Sequence, residues 1–288
     1  MCAPDILCIG SVLWDVIGRS PRHLGVGADV PGRITQLPGG VALNVAMAAR
    51  AYGMTPALLS CVGRDAEGDE LIAAIRRMGL VTETIYRSDD LPTDRYMAVE
   101  GANGLIAAIA DAHSLEQAGD KILDPLDDLK FRGPVALDGN LTQDLLARIA
   151  GDARFRVADL RLAPASPGKA ERLLPFLAHP SATLYVNLEE ARLILHRPLS
   201  DAADAAARLC ERGLHRAVVT DGPRLAACAG PHGCTSRKPP EVMVTRVTGA
   251  GDTFLAAHIA AEVAGMPVEA ALERACKAAA VYISGDSY

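Results

Sequence analysis

Short apolar runs alternate along most of this chain with longer stretches of helical periodicity. "DILCIG" (5–10) has the length and flanking residues of a buried strand, and in "GGVALNVAMAARAYG" (39–53) Val41, Val45, Ala48 and Ala49 recur at helical spacing. The couplet returns as a strand at "PALLSCVG" (56–63) and a helix at "EGDELIAAIRRMG" (67–79). Further strands are predicted at "PVALDGN" (134–140), "FRVADL" (155–160), "ATLYVNL" (182–188) and "RAVVTDG" (216–222), with helices near 143–151, 189–196 and 201–213. Strands alternating with helices build a mainly parallel sheet covered on both faces. The expectation is one three-layer α/β/α domain over residues 1–288.

Two stretches break the rhythm. Residues 16–37 carry little helical pattern, and "DRYMAVEGANGLIAAIAD" (94–111) alternates around Asn103-Gly104, a strong hairpin signal. Two strands alone cannot cover Met97, Val99, Leu105, Ile106 and Ile109, so a small β-sheet lid is expected over a ligand cleft, formed by segments of about 16–37 and 86–111. An edge hairpin packed on the main sheet is the alternative.

Near the end of the chain, "EVMVTRV" (241–247) alternates like a strand and "TFLAAHIAAEVAG" (253–265) is periodic like a helix, which puts Gly249, Ala250 and Gly251 at a helix N-terminus. The first N–H groups of a helix lack intrahelical partners and carry the positive end of its dipole, and small residues let an anion approach them. The turn is not a Walker A loop, because no Gly-Lys-Ser/Thr follows. Nor is it a dinucleotide fingerprint, because Phe254 stands where the third small residue belongs. Asp252 in the first turn is either a helix cap or a base that takes the proton of a hydroxyl attacking a phosphate held by those amides.

Composition narrows the class of partner. Half the residues are hydrophobic, enough for a sizeable core, and 29 Lys+Arg against 35 Asp+Glu leave a net charge of −6, with no basic footprint for a nucleic-acid polymer. No apolar run approaches the roughly 18 residues of a membrane helix, and no charged-then-apolar leader opens the chain, so a cytoplasmic location is expected. The seven cysteines (Cys2, Cys8, Cys61, Cys210, Cys228, Cys234, Cys276) form no C-x-x-C pair and read as reduced thiols.

"VTGAGDTF" (247–254) resembles the C-terminal signature of the ribokinase family, also called pfkB-type carbohydrate kinases. "PGGVALNVAMAARAYG" (38–53) resembles its N-terminal Gly-Gly motif followed by Asn. The resemblance implies a ribokinase-like fold and transfer of phosphate from ATP to a hydroxyl, with Asp252 as catalytic base and Gly249, Ala250 and Gly251 as anion hole. It implies substrate contacts at Asp15, Gly39, Gly40 and Asn44. Asn187 and Glu190 in "VNLEEARLI" are similar to the family's Asn-x-x-Glu element, which implies Mg²⁺ held by Glu190 through water; a solvated first helical turn is the alternative. Nucleotide contacts are implied at Asn187, Thr220, Gly222, Thr248 and Gly251 and, on the last helix, at Ala275 and Ala279.

Arg33 and Arg95 are the evident cations near the lid, few for a phosphorylated sugar, whereas an apolar lid suits a nucleobase. "GADVPGRITQLPGGVALNVA" (27–46) and "IADAHSLEQ" (109–117) are similar to pseudouridine kinases within the family, which implies phosphorylation of a ribosyl nucleoside, pseudouridine first, at its 5′-hydroxyl. Another nucleoside or free ribose is the runner-up, and a non-catalytic nucleoside or sugar sensor on the same scaffold is the contrary reading. Arg246 stands six before the base, where many relatives carry an acidic or amide residue for a monovalent cation, and a guanidinium argues against potassium there. Lys169 in "SPGKAERL" reads as solvent-exposed, or as reaching a substrate carbonyl or phosphate. The last residues, "ISGDSY", imply shortened C-terminal contacts, and the apolar lid implies a homodimer.

Overall fold

Ile6–Ile9 form β1, four residues with no exposed surface, and this strand takes the inner position that a short, wholly apolar run demands. The computed structural model describes residues 3–129 and 131–285; Cys2 and the final "DSY" lie outside the described residues. From β1 the chain leaves through β2 (Leu13–Arg19) and β3 (Arg33–Gly39) and returns as α1 (Val41–Ala51). Then follow β4 (Pro56–Leu59), β5 (Cys61–Gly63), α2 (Ala66–Arg77) and β6 (Tyr86–Ser88), and the hairpin β7 (Arg95–Gly101) and β8 (Gly104–Asp111). After α3 (His113–Ala118) and α4 (Leu126–Leu129) come β9 (Val135–Asp138), α5 (Gln143–Gly151), β10 (Leu160–Ala163) and β11 (Thr183–Asn187). The chain continues through α6 (Leu188–Leu195), α7 (Ala202–Glu211), β12 (Arg216–Thr220), β13 (Ala226–Gly230), β14 (Gly233–Arg237), α8 (Ala250–Val263) and α9 (Val268–Ser284).

The main sheet runs β14-β13-β12-β11-β10-β9-β1-β4, parallel from β12 to β4 and antiparallel at the β13–β14 edge. One core, with Leu115, Leu146, Ile194 and Leu209, lies between the sheet and α3, α5, α6 and α7. The other, with Leu43, Leu71, Leu255 and Leu272, lies under α1, α2, α8 and α9. The result is the expected α/β/α sandwich. Thr253 to Ala261 of α8 are all buried, as befits a helix that is apolar on every side and packs between α1, α9 and the sheet.

Three expectations are corrected. The apolar "FRVADL" (155–160) is mostly a turn closed by Phe155 N–H to Asp152 O and Ala158 N–H to Phe155 O, with Phe155 plugging the core; the strand begins only at Leu160. "EVMVTRV" (241–247) forms no strand, because β14 already ends the sheet and Thr245 and Arg246 bond instead to the end of α9. The small sheet, ordered β3-β2-β7-β8, does not reach back to 86, since Tyr86–Ser88 pairs with β5.

The register of the small sheet decides what each face offers. Asp15 is paired with Leu37 and Tyr96, and Ile17 with Thr35 and Ala98, so these share one face. Ile34, Met97, Val99 and Ile109 alternate to the other face and are exposed. The side chains expected to close over a ligand at Met97, Val99 and Ile109 thus point away from Asp15, and the apolar surface on its side comes from Ile17, Leu37 and Tyr96.

Candidate active site

In an open parallel sheet, ligands sit beyond the carboxyl ends of the strands, where the strand order reverses. Here that point is between β1 and β9, which continue outward in opposite directions to β4 and β10. Ser11 follows β1 and Asp138 ends β9. The buried Asp138 carboxylate accepts the Ser11 N–H at 2.8 Å, the Ser11 hydroxyl at 2.5 Å and the Asn140 N–H at 2.8 Å. The Ser11 Oγ in turn accepts the Val41 N–H at 2.9 Å and so caps α1. Burial pushes the Asp138 carboxyl above its ordinary range, against the pull of these donors.

Gly39 and Gly40 join β3 to α1 with no room for side chains. A Cβ on Gly39 would fall 2.1 Å from Asp15 Oδ2, and Gly40, at φ 99°, would put one 2.4 Å from Ser11 O. The turn thereby brings the half-buried Asp15 beside the first turn of α1, which carries Asn44. Asn44 Nδ2 donates to Asp252 Oδ2 at 2.9 Å, linking residues 208 positions apart. Burial pushes Asp15 up to about 6 and Asp252 up to about 7, and the Asn44 hydrogen bond holds Asp252 down while the charges of Asp138 and Asp15 raise it. Asp252 keeps some exposed surface, and its carboxylate is a base poised near neutrality rather than near 4.

Gly249, at φ 89°, is the N-cap of α8. The Ala250 N–H is taken by Val247 O at 3.0 Å, but among the described residues no acceptor takes the N–H of Gly251 or Asp252. Open amides at the positive end of a long helix are what an anion needs. Asn187 and Thr220 end the paired strands β11 and β12, and Gly222 turns just beyond at φ 55°. Thr248 is exposed, with its carbonyl accepting from Tyr282. Ala275 is fully buried on the inner face of α9, which leaves Ala279, partly exposed, as the one of that pair with surface to offer.

Glu190 is not the solvated first-turn residue it could have been. It is 7% exposed and closes a capping box, its Oε2 accepting the Asn187 N–H at 2.8 Å while Asn187 Oδ1 accepts the Glu190 N–H at 2.9 Å. Burial raises it to about 7, and among the described residues no cation pairs with it. A buried carboxylate with one uncommitted oxygen fits a hydrated divalent cation.

Lys169 is half-buried and donates to Asn140 Oδ1, with its pKa lowered by burial and by Arg172. The solvent-exposed reading of this lysine is therefore corrected. Arg95 forms an ion pair with Glu67, and Arg33 lies across from Arg19, four residues along β2 from Asp15. Sequence reasoning missed Ser11, Asp138 and Asn140; the signal was "LDGN" at the carboxyl end of a strand, where polar residues face the cleft.

The chain matches the family model described as "pfkB family carbohydrate kinase" over residues 3–287. It is 29% identical over 270 residues to the pseudouridine kinase of Escherichia coli K12, a match covering 91% of this chain and 85% of that protein. A carbohydrate kinase from Agrobacterium tumefaciens superposes with a TM-score of 0.81 at 26% identity, covering 96% of this chain and 89% of that one. The ribokinase of Arabidopsis thaliana, solved with ribose and ATP, gives 0.81 at 21% identity, covering 98% and 93%. The clustered carboxylates, the open amides at the head of α8 and the whole-chain match together place this chain in the pfkB family of carbohydrate kinases, phosphotransferases that use ATP to phosphorylate a hydroxyl group.

Proposed function

We propose that this chain phosphorylates the 5′-hydroxyl of a ribosyl nucleoside, with pseudouridine as its best substrate and Asp252 as general base. The Asn44–Asp252 hydrogen bond carries the reading, because it aims a carboxylate of near-neutral pKa from beside the open amides toward the substrate-side turn. The substrate hydroxyl gives its proton to Asp252 as its oxygen attacks the terminal phosphorus, and the bond to ADP breaks. The N–H groups of Gly251 and Asp252, at the turn begun by Gly249 and Ala250, hold the charge that spreads over the transferred group. Asp15, set against Gly39 and Gly40, accepts the ribose hydroxyls, since an analogue lacking one would leave a buried acceptor unpaired. Glu190 would hold Mg²⁺ through water, and the ion would neutralise phosphate charge when bound. Asn187, Thr220, Gly222, Thr248 and Ala279 would line the nucleotide.

What the cleft lacks supports this substrate class. Arg95 is committed to Glu67 and Arg33 lies about 13 Å along the strand from Asp15 at ~3.3 Å per residue, so neither is ready for a second phosphate. Ile17 and Leu37 offer an apolar floor to a base, and Lys169 is a donor for a base carbonyl. The identity to pseudouridine kinase supports the same choice. The outward face with Ile34, Met97, Val99 and Ile109 is proposed to pair with a second copy. ADP release measured with pseudouridine, uridine, adenosine, ribose and fructose 6-phosphate tests this reading. Pseudouridine should give the highest kcat/KM, and a preference for the phosphorylated sugar would refute it.

A further inference from the structure

The segment leading into the glycine turn is fastened to the end of α9 rather than to the sheet. Thr245 donates from its N–H and from its hydroxyl to Ile283 O, each at 2.9 Å, and the Arg246 N–H reaches the same oxygen at 3.3 Å. Arg246 Nε donates to Tyr282 O at 2.8 Å, and its guanidinium carbon lies 3.8 Å above the centre of the Tyr282 ring. The Tyr282 hydroxyl donates to Thr248 O at 2.9 Å. It also stands so near Gly249 that a Cβ there would lie 2.5 Å from it. The accepting carbonyls belong to the C-terminal turn of α9, where Tyr282 O also accepts the N–H of the cap residue Gly285 at 3.3 Å and where the negative end of the helix dipole lies, so a guanidinium is well placed among them.

Side-chain packing does not hold this segment, since Val242, Met243, Val244 and Val247 are all exposed. Among the described residues its position is set chiefly by the polar bonds and the stacked ring. We propose that Arg246 and Tyr282 are positioning residues that hold the Thr248–Gly251 turn open for the nucleotide phosphates, with the C-terminal turn of α9 as their brace. This rests on the reading that the turn binds the terminal phosphates of ATP. Arg246 acts through Tyr282 and Thr248 and touches neither substrate.

The test compares Arg246→Ala, Arg246→Lys and Tyr282→Phe with the unaltered chain, by calorimetric binding of MgADP, by KM for ATP and for pseudouridine, and by melting temperature. Arg246→Ala should raise the KM for ATP roughly tenfold, the order of one charge-assisted bond, and leave the KM for pseudouridine within about twofold. Tens of millimolar guanidinium should recover much of the loss by refilling the vacated place. Arg246→Lys keeps the charge without the planar fork and should fall between. Tyr282→Phe keeps the stacking ring and should lose ADP affinity without guanidinium rescue. Unaltered ADP affinity in both Arg246→Ala and Tyr282→Phe would overturn the proposal. So would a parallel rise of both KM values with a lowered melting temperature and no rescue, which is the mark of a merely structural bond. If the unaltered chain bound no MgADP, the underlying reading of the turn would fall with it.

Discussion

The side-chain amide of Asn44, in the first turn of α1, donates to the carboxylate of Asp252, in the first turn of α8, across 2.9 Å. Two helix N-termini therefore face each other, one capped by Gly40 of the Gly39–Gly40 turn and the other by Gly249. Burial and two neighbouring carboxylates raise this carboxyl and the Asn44 bond lowers it, leaving it at about 7.

The pH dependence follows from that balance. An acid whose carboxylate must be free to act gains activity as pH rises through its pKa, so kcat/KM should climb through about 7 and level above it. Asn44→Ala removes the donor that lowers Asp252, and the midpoint should move upward by roughly one unit, worth about 1.4 kcal/mol. A pH profile of kcat/KM for both proteins checks this; a midpoint unmoved or lowered in the variant contradicts it.

Stability should respond far from the cleft. Glu262 on α8 accepts Arg216 Nη1 and Nη2 at 2.6 Å each and pairs also with Arg161, which donates to Tyr185. Desolvation raises the Glu262 carboxyl, but the Arg216 hydrogen bonds and the Arg161 charge outweigh it and bring the pKa down to about 2. Its folded value lies below its unfolded one, so its contribution is present above about 4.5 and is lost as pH falls toward 2. Glu262→Gln leaves two largely buried guanidiniums short of their partner and should cost on the order of 3–5 kcal/mol in urea unfolding at pH 7. A loss under 1 kcal/mol would show that the network is not coupled as drawn.

The outward apolar face of the small sheet leads to a hydrodynamic expectation. Light scattering should report twice the mass of one chain, and Met97→Lys with Ile109→Lys should return it to one, because like charges placed in an apolar contact repel and resist desolvation. A monomer before substitution removes the proposed pairing.

Arg246 fills the place beside the glycine turn with a fixed positive charge, held by Tyr282 O and by the Tyr282 ring. Turnover should be the same in potassium, sodium and large organic cations at equal ionic strength. Activation of tenfold or more by potassium would contradict this use of the guanidinium.

Much of the main sheet was legible because its strands are short buried runs, several followed directly by a helix of clear periodicity, as at Thr183–Asn187 and Leu188–Leu195. The glycine turn was legible because Gly249, Ala250 and Gly251 have few structural uses outside close backbone approach. The "EVMVTRV" segment misled because alternation specifies an extended chain but not a partner, and Pro239 and Pro240 precede it where the sheet has already ended. β13 and β14 were hidden by sequences rich in alanine, glycine and serine, whose strand preference is weak and whose pairing depends on the neighbouring β12. The alternation of Met97, Val99 and Ile109 was visible, yet which face met the cleft depended on their register with Asp15, a long-range fact. The near-neutral pKa of Asp252 lay equally out of reach, since burial raises it first, Asn44 lowers it and the charges of Asp138 and Asp15 raise it further, all groups scattered over the chain and joined only by folding.

The most direct test is the turnover of Asp252→Asn with ATP and pseudouridine under saturating conditions, followed by phosphate analysis of the nucleoside product. Loss of a positioned base should lower kcat by about 10²–10⁴ while both substrates still bind, and the residual product should be the 5′-monophosphate. A variant that keeps the turnover of the unaltered chain, or a product phosphorylated at another position, would contradict the assignment.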